Sequence, residues 1–280
     1  TPGGDPLVIL DCLPGRRPTV CGADKLAGMP YWERLSETAF RATHLTSGAW
    51  NIQEQHIAPA MGLLAHLVER DRDHRRPDVA LLPARLSYDI LGTLPVDTCE
   101  TEVRVLRPGR TVELVEATLS HDGRAALVLR AWLLATRDTT ALAGHSLEPI
   151  PTPQDLTPWV PGEDWPGDFI GSVEIRRDLA EPGRGCFWAR TNTPLLGGEP
   201  VSALARLAGL FDIANGMTVR LDPREVLFPN LDLCARFTRE PAGEWFGFDN
   251  SVMVDRDGVG MTTCILHDAH GPLGALGQTT

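Results

Sequence analysis

The feature that most constrains the fold of this chain is an order of elements that occurs twice. In each half, a segment with apolar residues at three- and four-residue spacing precedes several short runs of alternating or apolar residues. The first pattern predicts helices over residues 59–70 and 201–215, and the second predicts strands. A helix and a sheet that each have one apolar face bury those faces against each other. Each half therefore predicts one helix packed on an antiparallel sheet.

The two halves also align with each other at a fixed shift of 146 positions. Residues 118–122 fall on 264–268, and the helical residues 61–70 fall on 207–216. Agreement of a helix and a hairpin in one register indicates a duplicated unit. The predicted fold class is α+β, with two central helices that are each wrapped by a curved antiparallel sheet.

Composition and turn residues predict how the chain is divided. Segments rich in Gly and Pro indicate an N-terminal extension over 1–36 and a linker over 146–168, which leaves 37–145 and 169–280 as the two units. The predicted strands of the first unit are 79–90, 102–106, 111–119 and 125–136. Those of the second unit are 169–175, 186–190, 227–237, 245–254, 261–267 and 273–278.

The overall charge and the cysteine pattern exclude several classes of protein. A net charge of -11 argues against nucleic acid as a partner, because phosphate contacts need clustered Lys and Arg. The six cysteines include no C-x-x-C pair, which favours reduced thiols and a cytoplasmic location. No apolar run reaches membrane-spanning length, so no membrane association is expected. No metal site and no cofactor are predicted, because the sequence has neither a full ligand set nor a nucleotide-binding glycine motif.

Four long stretches resemble a known family. They are GAWNIQEQHIAPAMGLLAHLVER at 48–70, RLSYDILGTLPVDTCETEVRVLRPGRTVELVEATLSHDGR at 85–124, FPNLDLCARFTREPAGEWFGFD at 228–249 and GVGMTTCILHDAHGPLGALGQ at 258–278. Over residues 38–280 the chain resembles the acyl-CoA thioesterase II (TesB-like) proteins, and specifically an actinobacterial-looking branch. The resemblance implies a double hotdog fold. It also implies hydrolysis of fatty acyl-CoA thioesters by water without a covalent enzyme intermediate.

The same resemblance implies a set of catalytic residues in the second unit. An Asp, a Thr or Ser, and a Gln hold and activate the water, and N–H groups at a helix N-terminus polarise the thioester carbonyl. Asp232 matches the Asp as the base, and Gln278 matches the Gln. The hydroxyl position falls on Met253, which departs from the family pattern, and Ser251 on the same strand face is the candidate substitute. Leu86 stands at the Asp position of the first half, so only the second half is expected to be active.

Four further residues are candidates for substrate binding. Asp212 and Asn215 lie on the second predicted helix, His56 immediately precedes the first, and Met253 occupies the expected hydroxyl position. Each has a structural alternative. Asn215 before a glycine suits a helix C-terminus, and a buried histidine is more often a hydrogen-bonded structural group than a ligand contact. For Asp232, the alternative is a carboxylate satisfied by backbone donors or by a nearby arginine.

Two other functions remain open at this point. A non-catalytic acyl-thioester binding protein would retain the fold with a degraded site, as Met253 suggests. A hotdog hydratase would need an Asp/His pair within one unit, and the sequence does not supply one. In each case the expected small-molecule partner is an acyl-CoA or acyl-carrier thioester, and the resemblance implies a homo-oligomer.

Overall fold

The duplicated order of elements organises the whole structure. The computed structural model describes residues 28–161 and 165–280, so most of the predicted extension lies outside the described residues. The helices are α1 (Ile57–Arg75), α2 (Asp168–Gly171), α3 (Ala203–Ala208) and α4 (Ala214–Met217). The strands are β1 (Trp32–Arg34), β2 (Ala39–Ala42), β3 (Leu81–Ile90), β4 (Thr98–Arg107), β5 (Val112–His121), β6 (Arg124–Ala135), β7 (Thr157–Trp159), β8 (Val173–Glu181), β9 (Arg184–Thr191), β10 (Asp232–Phe237), β11 (Phe246–Val254), β12 (Gly260–Asp268) and β13 (Gly271–Thr279).

The strands form one antiparallel sheet that runs through both units. Its order is β1-β2-β4-β5-β6-β3-β10-β13-β12-β11-β9-β8-β7. In the first unit β3 pairs with β6, and in the second unit β10 pairs with β13 in the same way. The pairing of β3 with β10 joins the two units. The inner faces of both halves pack on the helices in one apolar core. This is the predicted α+β arrangement of two helices on one antiparallel sheet.

Helix α1 is the central helix of the first unit. It begins after His56, whose Nδ1 accepts a hydrogen bond from the N–H of Ala58, and it ends before Pro77, which disfavours helical backbone in the residue that precedes it. Every residue of α1 from Ala58 to Glu69 is buried. This part of the helix is therefore covered on all sides, by the sheet and by α3.

The helical segment of the second unit is broken, although the sequence predicts a continuous helix over 201–215. Helix α3 ends at Ala208, a 3-10 turn spans Phe211–Ile213, and α4 follows. The break lies where α3 approaches α1 most closely: a Cβ atom added at Gly62 would lie 2.9 Å from the carbonyl oxygen of Ala205 and 3.0 Å from the Cα of Gly209. Close packing at two glycines thus decides the course of the segment, which helical periodicity alone does not reveal.

We expect Gly62→Val to lower the free energy of unfolding by about 1–3 kcal/mol, because the new side chain would overpack the contact with α3. Denaturant unfolding of the purified variant measures this change. Gly171→Ala is the matched control, since a Cβ there meets no atom within 4 Å. Equal stability of the two variants would contradict the close approach of α1 and α3.

Three other sequence predictions differ from the structure. Residues 169–175 were predicted as one strand, but α2 occupies the start of that range and β8 begins at Val173. The predicted strand 227–237 begins only at Asp232, because Pro229 lacks the N–H that a ladder position needs. The predicted linker contains β7, which pairs with β8 at the sheet edge.

One negative finding concerns membranes. Within the described residues, no helix combines the length and the apolar character needed to cross a bilayer.

Candidate functional site

A cavity of about 290 Å³ lies where the two units meet. The first unit contributes residues 48–51, 54–57, 90 and 92–94, and the rest of the chain contributes 165, 170, 212–213, 215–217 and 227–230. The location of this cavity at the junction of both units differs from the site expected in the second unit alone. It follows from the pairing of β3 with β10, which brings the loops of both units to one place.

Asp212 is the cavity carboxylate whose side chain is held by a neighbouring side chain of the lining. It lies on the 3-10 turn between α3 and α4, and its side chain is 14% exposed. Its Oδ1 accepts a hydrogen bond of 2.6 Å from the side-chain amide of Asn230. Its Oδ2 lies 3.5 Å from Nδ1 of His56, which belongs to the first unit. A carboxylate that is held in place and borders a cavity can accept a proton from a bound water.

Asn230 fixes the position of Asp212 and was missed by the sequence analysis. Its side-chain oxygen accepts a hydrogen bond of 3.0 Å from Asn215, while its nitrogen donates to Asp212. Asn215, Asn230 and Asp212 therefore form one chain of hydrogen bonds along the cavity wall. The signal that could have revealed Asn230 is Pro229, which indicates that a loop rather than a strand occupies this position.

His56 is the polar residue of the cavity wall that the first unit places beside Asp212. Its side chain is buried beside the ring of Phe169, at a centroid distance of 4.5 Å. Burial lowers the pKa of His56, and the negative charge of Asp212 only partly offsets this. Because Nδ1 accepts the N–H of Ala58, the proton of the neutral ring resides on Nε2. The contact with Asp212 is therefore not a hydrogen bond donated by Nδ1.

The structure thus brings together an Asp/His pair that the sequence analysis did not find. That search considered pairs within one unit, whereas His56 and Asp212 come from different units. Their separation of 156 positions in the chain leaves no local pattern to detect. Only the assembled sheet shows that they share a cavity.

The remaining wall of the cavity is largely aromatic. Trp50, Trp165 and Phe228 meet edge to face, with centroid distances of 5.0, 5.2 and 5.9 Å. The three rings come from three separate loops, and Trp50 is 41% exposed. Such a wall suits an apolar ligand group and excludes water from it.

Asp232, the predicted base, lies elsewhere. It is the first residue of β10. The next residue, Leu233, points to the opposite face of the strand, where it pairs with Gln278, and both are buried. Asp232 accepts a hydrogen bond from the backbone N–H of Thr279 at 2.9 Å and does not border the cavity. Since neighbouring strand residues point to opposite faces, the side chains of Asp232 and Gln278 lie on opposite faces of the sheet. The backbone-satisfied alternative describes Asp232 better.

Gln278 is buried on the inner face of β13. Its Nε2 donates to the carbonyl oxygen of Phe211 at 3.4 Å, immediately before Asp212 in the chain. Its Oε1 and the hydroxyl of Thr262, the residue opposite it on β12, are buried without a partner among the described residues. Gln278 therefore supports the turn that carries Asp212, and it does not border the cavity itself.

Ser251 and Met253 lie on the outer face of β11. Both are exposed, Met253 to 56%, and they pair across the strands with Thr263 and Met261. Neither residue borders the cavity. The inward-facing residues of β11 are the alternate ones, such as Asn250, so the predicted roles of Ser251 and Met253 gain no support from a contact with the cavity.

Among the described residues, no group of three or more His, Cys, Asp or Glu side chains is arranged to hold a metal ion. The polar residues that line the cavity are two carboxylates, Asp212 and Glu54, one imidazole, the hydroxyl residue Thr93 and several amides. These groups are suited to acid–base chemistry and to hydrogen bonding with a polar ligand group.

The fold and the site together define a class, the double-hotdog proteins, in which two helix-and-sheet units share one continuous sheet. Two family models match this chain: the acyl-CoA thioesterase N-terminal domain over residues 46–134 and the acyl-CoA thioesterase C-terminal domain over residues 151–280. The chain therefore belongs to the acyl-CoA thioesterase II (TesB-like) family. None of the curated proteins compared with the chain matches it.

Solved structures show the same fold at low sequence identity. A hot dog fold protein from Alicyclobacillus acidocaldarius has a TM-score of 0.69 and 15% identity, over 93% of this chain and 97% of that one. The tesB protein of Mycobacterium avium subs paratuberculosis has a TM-score of 0.65 and 13% identity, over 92% and 98%. The acyl-CoA thioesterase II TesB2 of Mycobacterium marinum has a TM-score of 0.62 and 18% identity, over 89% and 94%. The predicted double hotdog fold is confirmed.

Proposed function

We propose that this protein hydrolyses acyl-CoA thioesters in the cavity between its two units, with Asp212 as the general base. The observation that carries the proposal is the placement of Asp212, which borders the cavity and is held by Asn230. Membership of the acyl-CoA thioesterase family supports the choice of substrate class.

The reaction follows from the groups present. Asp212 takes a proton from a water molecule as the water oxygen attacks the thioester carbonyl carbon. The tetrahedral intermediate collapses, the C–S bond breaks, and the CoA sulfur leaves with the bonding electron pair. The proton held by Asp212 passes to that sulfur, which yields free CoA thiol and a carboxylic acid. No covalent bond to the enzyme is formed.

The cavity dimensions favour a short acyl group. Its volume of about 290 Å³ lies at the lower end of the range for ligand sites, which runs from about 300 to 1,000 Å³. The edge-to-face rings of Trp50, Trp165 and Phe228 surround that volume with apolar surface. We therefore propose that short acyl-CoA thioesters are better substrates than long ones.

Release of free thiol from a series of acyl-CoA esters, from two to sixteen carbons, tests the function and the chain-length preference together. We expect turnover that is highest for the short members and that increases linearly with the enzyme concentration. Absence of turnover across the whole series, in a preparation that unfolds cooperatively, would refute the hydrolase proposal. Met253, the departure from the family pattern, is exposed and lies outside the cavity, so it does not affect a base located there.

A second candidate function is hydration of an enoyl-CoA, which the proximity of His56 and Asp212 favours. Water addition to a conjugated double bond also needs a base and a proton donor. Loss of the enoyl absorbance of crotonyl-CoA, without release of thiol, would identify a hydratase. Release of thiol together with free crotonate would identify a thioesterase.

Asn230→Ala is expected to lower kcat/KM for acyl-CoA hydrolysis by about 10- to 100-fold. The variant loses a hydrogen bond to a charged carboxylate, and such bonds contribute about 1.5–3 kcal/mol. Steady-state thiol release measures the effect. Asn192→Ala, at an exposed position away from the cavity, is the matched control and should behave like the wild type. Equal rates for the two variants would mean that Asn230 does not position the base.

A further inference from the structure

We propose that His56 donates a hydrogen bond from Nε2 to the thioester carbonyl oxygen, so that a neutral imidazole stabilises the oxyanion; this inference rests on the proposed function and deepens it. Hydrolysis of a thioester builds negative charge on the carbonyl oxygen. A hydrogen-bond donor that is already aimed at that oxygen stabilises the transition state more than a mobile donor does, because it needs no reorganisation during the reaction.

The first step of the argument is the location of the proton on the ring. Nδ1 of His56 accepts the backbone N–H of Ala58 at 3.2 Å, which caps the N-terminus of α1. A nitrogen that accepts through its lone pair carries no proton, so the neutral ring has its N–H at Nε2. The ring lies at the N-terminus of the 19-residue helix α1, whose positive dipole end disfavours a positive charge there.

The second step is the availability of that N–H. Nε2 makes no hydrogen bond with the part of the chain that the structure describes, and it is not among the fully buried side-chain atoms that lack a partner. The His56 side chain as a whole is buried and borders the cavity. Its one free polar atom is therefore available to a molecule in the cavity.

The third step is the rigidity of the ring. The face of His56 lies 4.5 Å from the ring of Phe169, and the cap fixes its opposite edge. Gln55, the neighbouring cavity residue, is held in the same way by a bond of 2.6 Å from its Nε2 to the carbonyl oxygen of Pro95. The donor is thus held by packing and by backbone contacts from several directions.

The fourth step is the relation of the donor to the base. Asp212 lies 3.5 Å from the Nδ1 side of the ring, and both residues border one cavity. A water held by Asp212 and a carbonyl held by His56 would then be neighbours. Burial keeps the pKa of His56 low, so the ring stays neutral and remains a donor at neutral pH.

Two substitutions separate the catalytic role from the structural one. His56→Asn keeps an oxygen that can cap α1 but removes the donor at the Nε2 position. His56→Gln can place an amide N–H near the Nε2 position but is a poor cap.

If His56 donates to the carbonyl, His56→Asn should lower kcat by about 100-fold with little change in KM, while unfolding at nearly the wild-type midpoint. His56→Gln should unfold earlier and retain more of kcat than His56→Asn does. A purely structural His56 predicts the reverse order of rates.

A spectroscopic measurement tests the same contact without turnover. Butyryl-CoA labelled with ¹³C at the carbonyl is bound to Asp212→Asn, with and without His56→Asn, and the carbonyl stretching band is recorded by difference infrared spectroscopy. We expect a lower frequency when His56 is present. An unshifted band would overturn the inference even if the wild type hydrolyses thioesters. A shifted band without wild-type turnover would refute the proposed hydrolysis and leave the carbonyl contact standing, and failure of butyryl-CoA to bind would overturn both.

Discussion

Asp212→Asn is expected to lower kcat for acyl-CoA hydrolysis by about 10²- to 10⁴-fold, the contribution typical of a general base. The amide is nearly the same size as the carboxylate and can still bond to Asn230, but it cannot take a proton from water. Affinity for the thioester should change little, because the residue acts on the water rather than on the acyl group. Pre-steady-state and steady-state thiol release measure the rate, and unfolding curves show whether the fold is retained.

Asp232→Asn is the matched control for this experiment. It makes the same chemical change on β10, at a carboxylate that bonds to the backbone of Thr279 and does not border the cavity. We expect a rate within about twofold of the wild type, since a surface change of this kind alters stability by about 0.5 kcal/mol or less. A large loss of rate in Asp232→Asn together with a normal rate in Asp212→Asn would invert our assignment of the base.

Arg239→Met is expected to lower the free energy of unfolding by about 3 kcal/mol. Arg239 donates to both carboxylate oxygens of Asp268, at the turn between β12 and β13, and the Asp268 side chain is fully buried. Removal of one partner leaves a buried charge without its counter-ion, which costs about 3–5 kcal/mol, and the lower end applies because Arg239 is about one-third exposed. Arg41→Met breaks the exposed pair with Glu33 and should cost less than about 1 kcal/mol.

The same pair gives this stability a pH dependence of known sign. Burial alone would raise the pKa of Asp268, but hydrogen bonds from Arg239, His270 and Ala242 outweigh it and hold the pKa below its usual range. A carboxyl whose pKa is lower in the folded state stabilises the fold above its unfolded pKa of about 3.9, and this contribution is lost as the pH falls through the folded value.

The difference in stability between the wild type and Arg239→Met should therefore be constant near neutral pH and shrink below about pH 4. Denaturant titrations at pH 7, 5 and 3.5 measure it. A difference that grows on acidification would show that Asp268 is not the group that Arg239 stabilises.

The position of Asp232 outside the cavity depends on where its strand begins, which the sequence did not reveal. A carboxylate within an apolar run is a strong anomaly, and the run was interpreted as a strand from 227. Because the strand starts at Asp232, this residue lies at the end of the strand. A backbone hydrogen-bond donor and contact with solvent there lower the free-energy cost of a charged carboxylate. The cavity takes the residues just before it, including Asn230, which the strand interpretation had placed in the sheet.

Asp212 and His56 were recognised as candidates because each lies beside a helix terminus or on a helix of the repeated unit. Their roles could not be ranked, because the interaction between them spans the two units and depends on the pairing of β3 with β10. The break in the second helix mattered as well. A continuous helix would place Asp212 by simple periodicity, whereas the 3-10 turn after Gly209 sets its actual direction.

The sequence alone determined the duplicated helix-and-sheet unit, the approximate limits of most strands and the family, because these depend on local periodicity, turn residues and long ordered motifs. The tertiary structure decided which polar side chains share a cavity. That choice depends on strand register, in which a shift of one residue turns a side chain to the other face, and on contacts between segments distant in the chain. Local patterns in a sequence contain neither the strand register nor these long-range contacts. The assembled structure of both units was therefore needed to single out Asp212 as the candidate base.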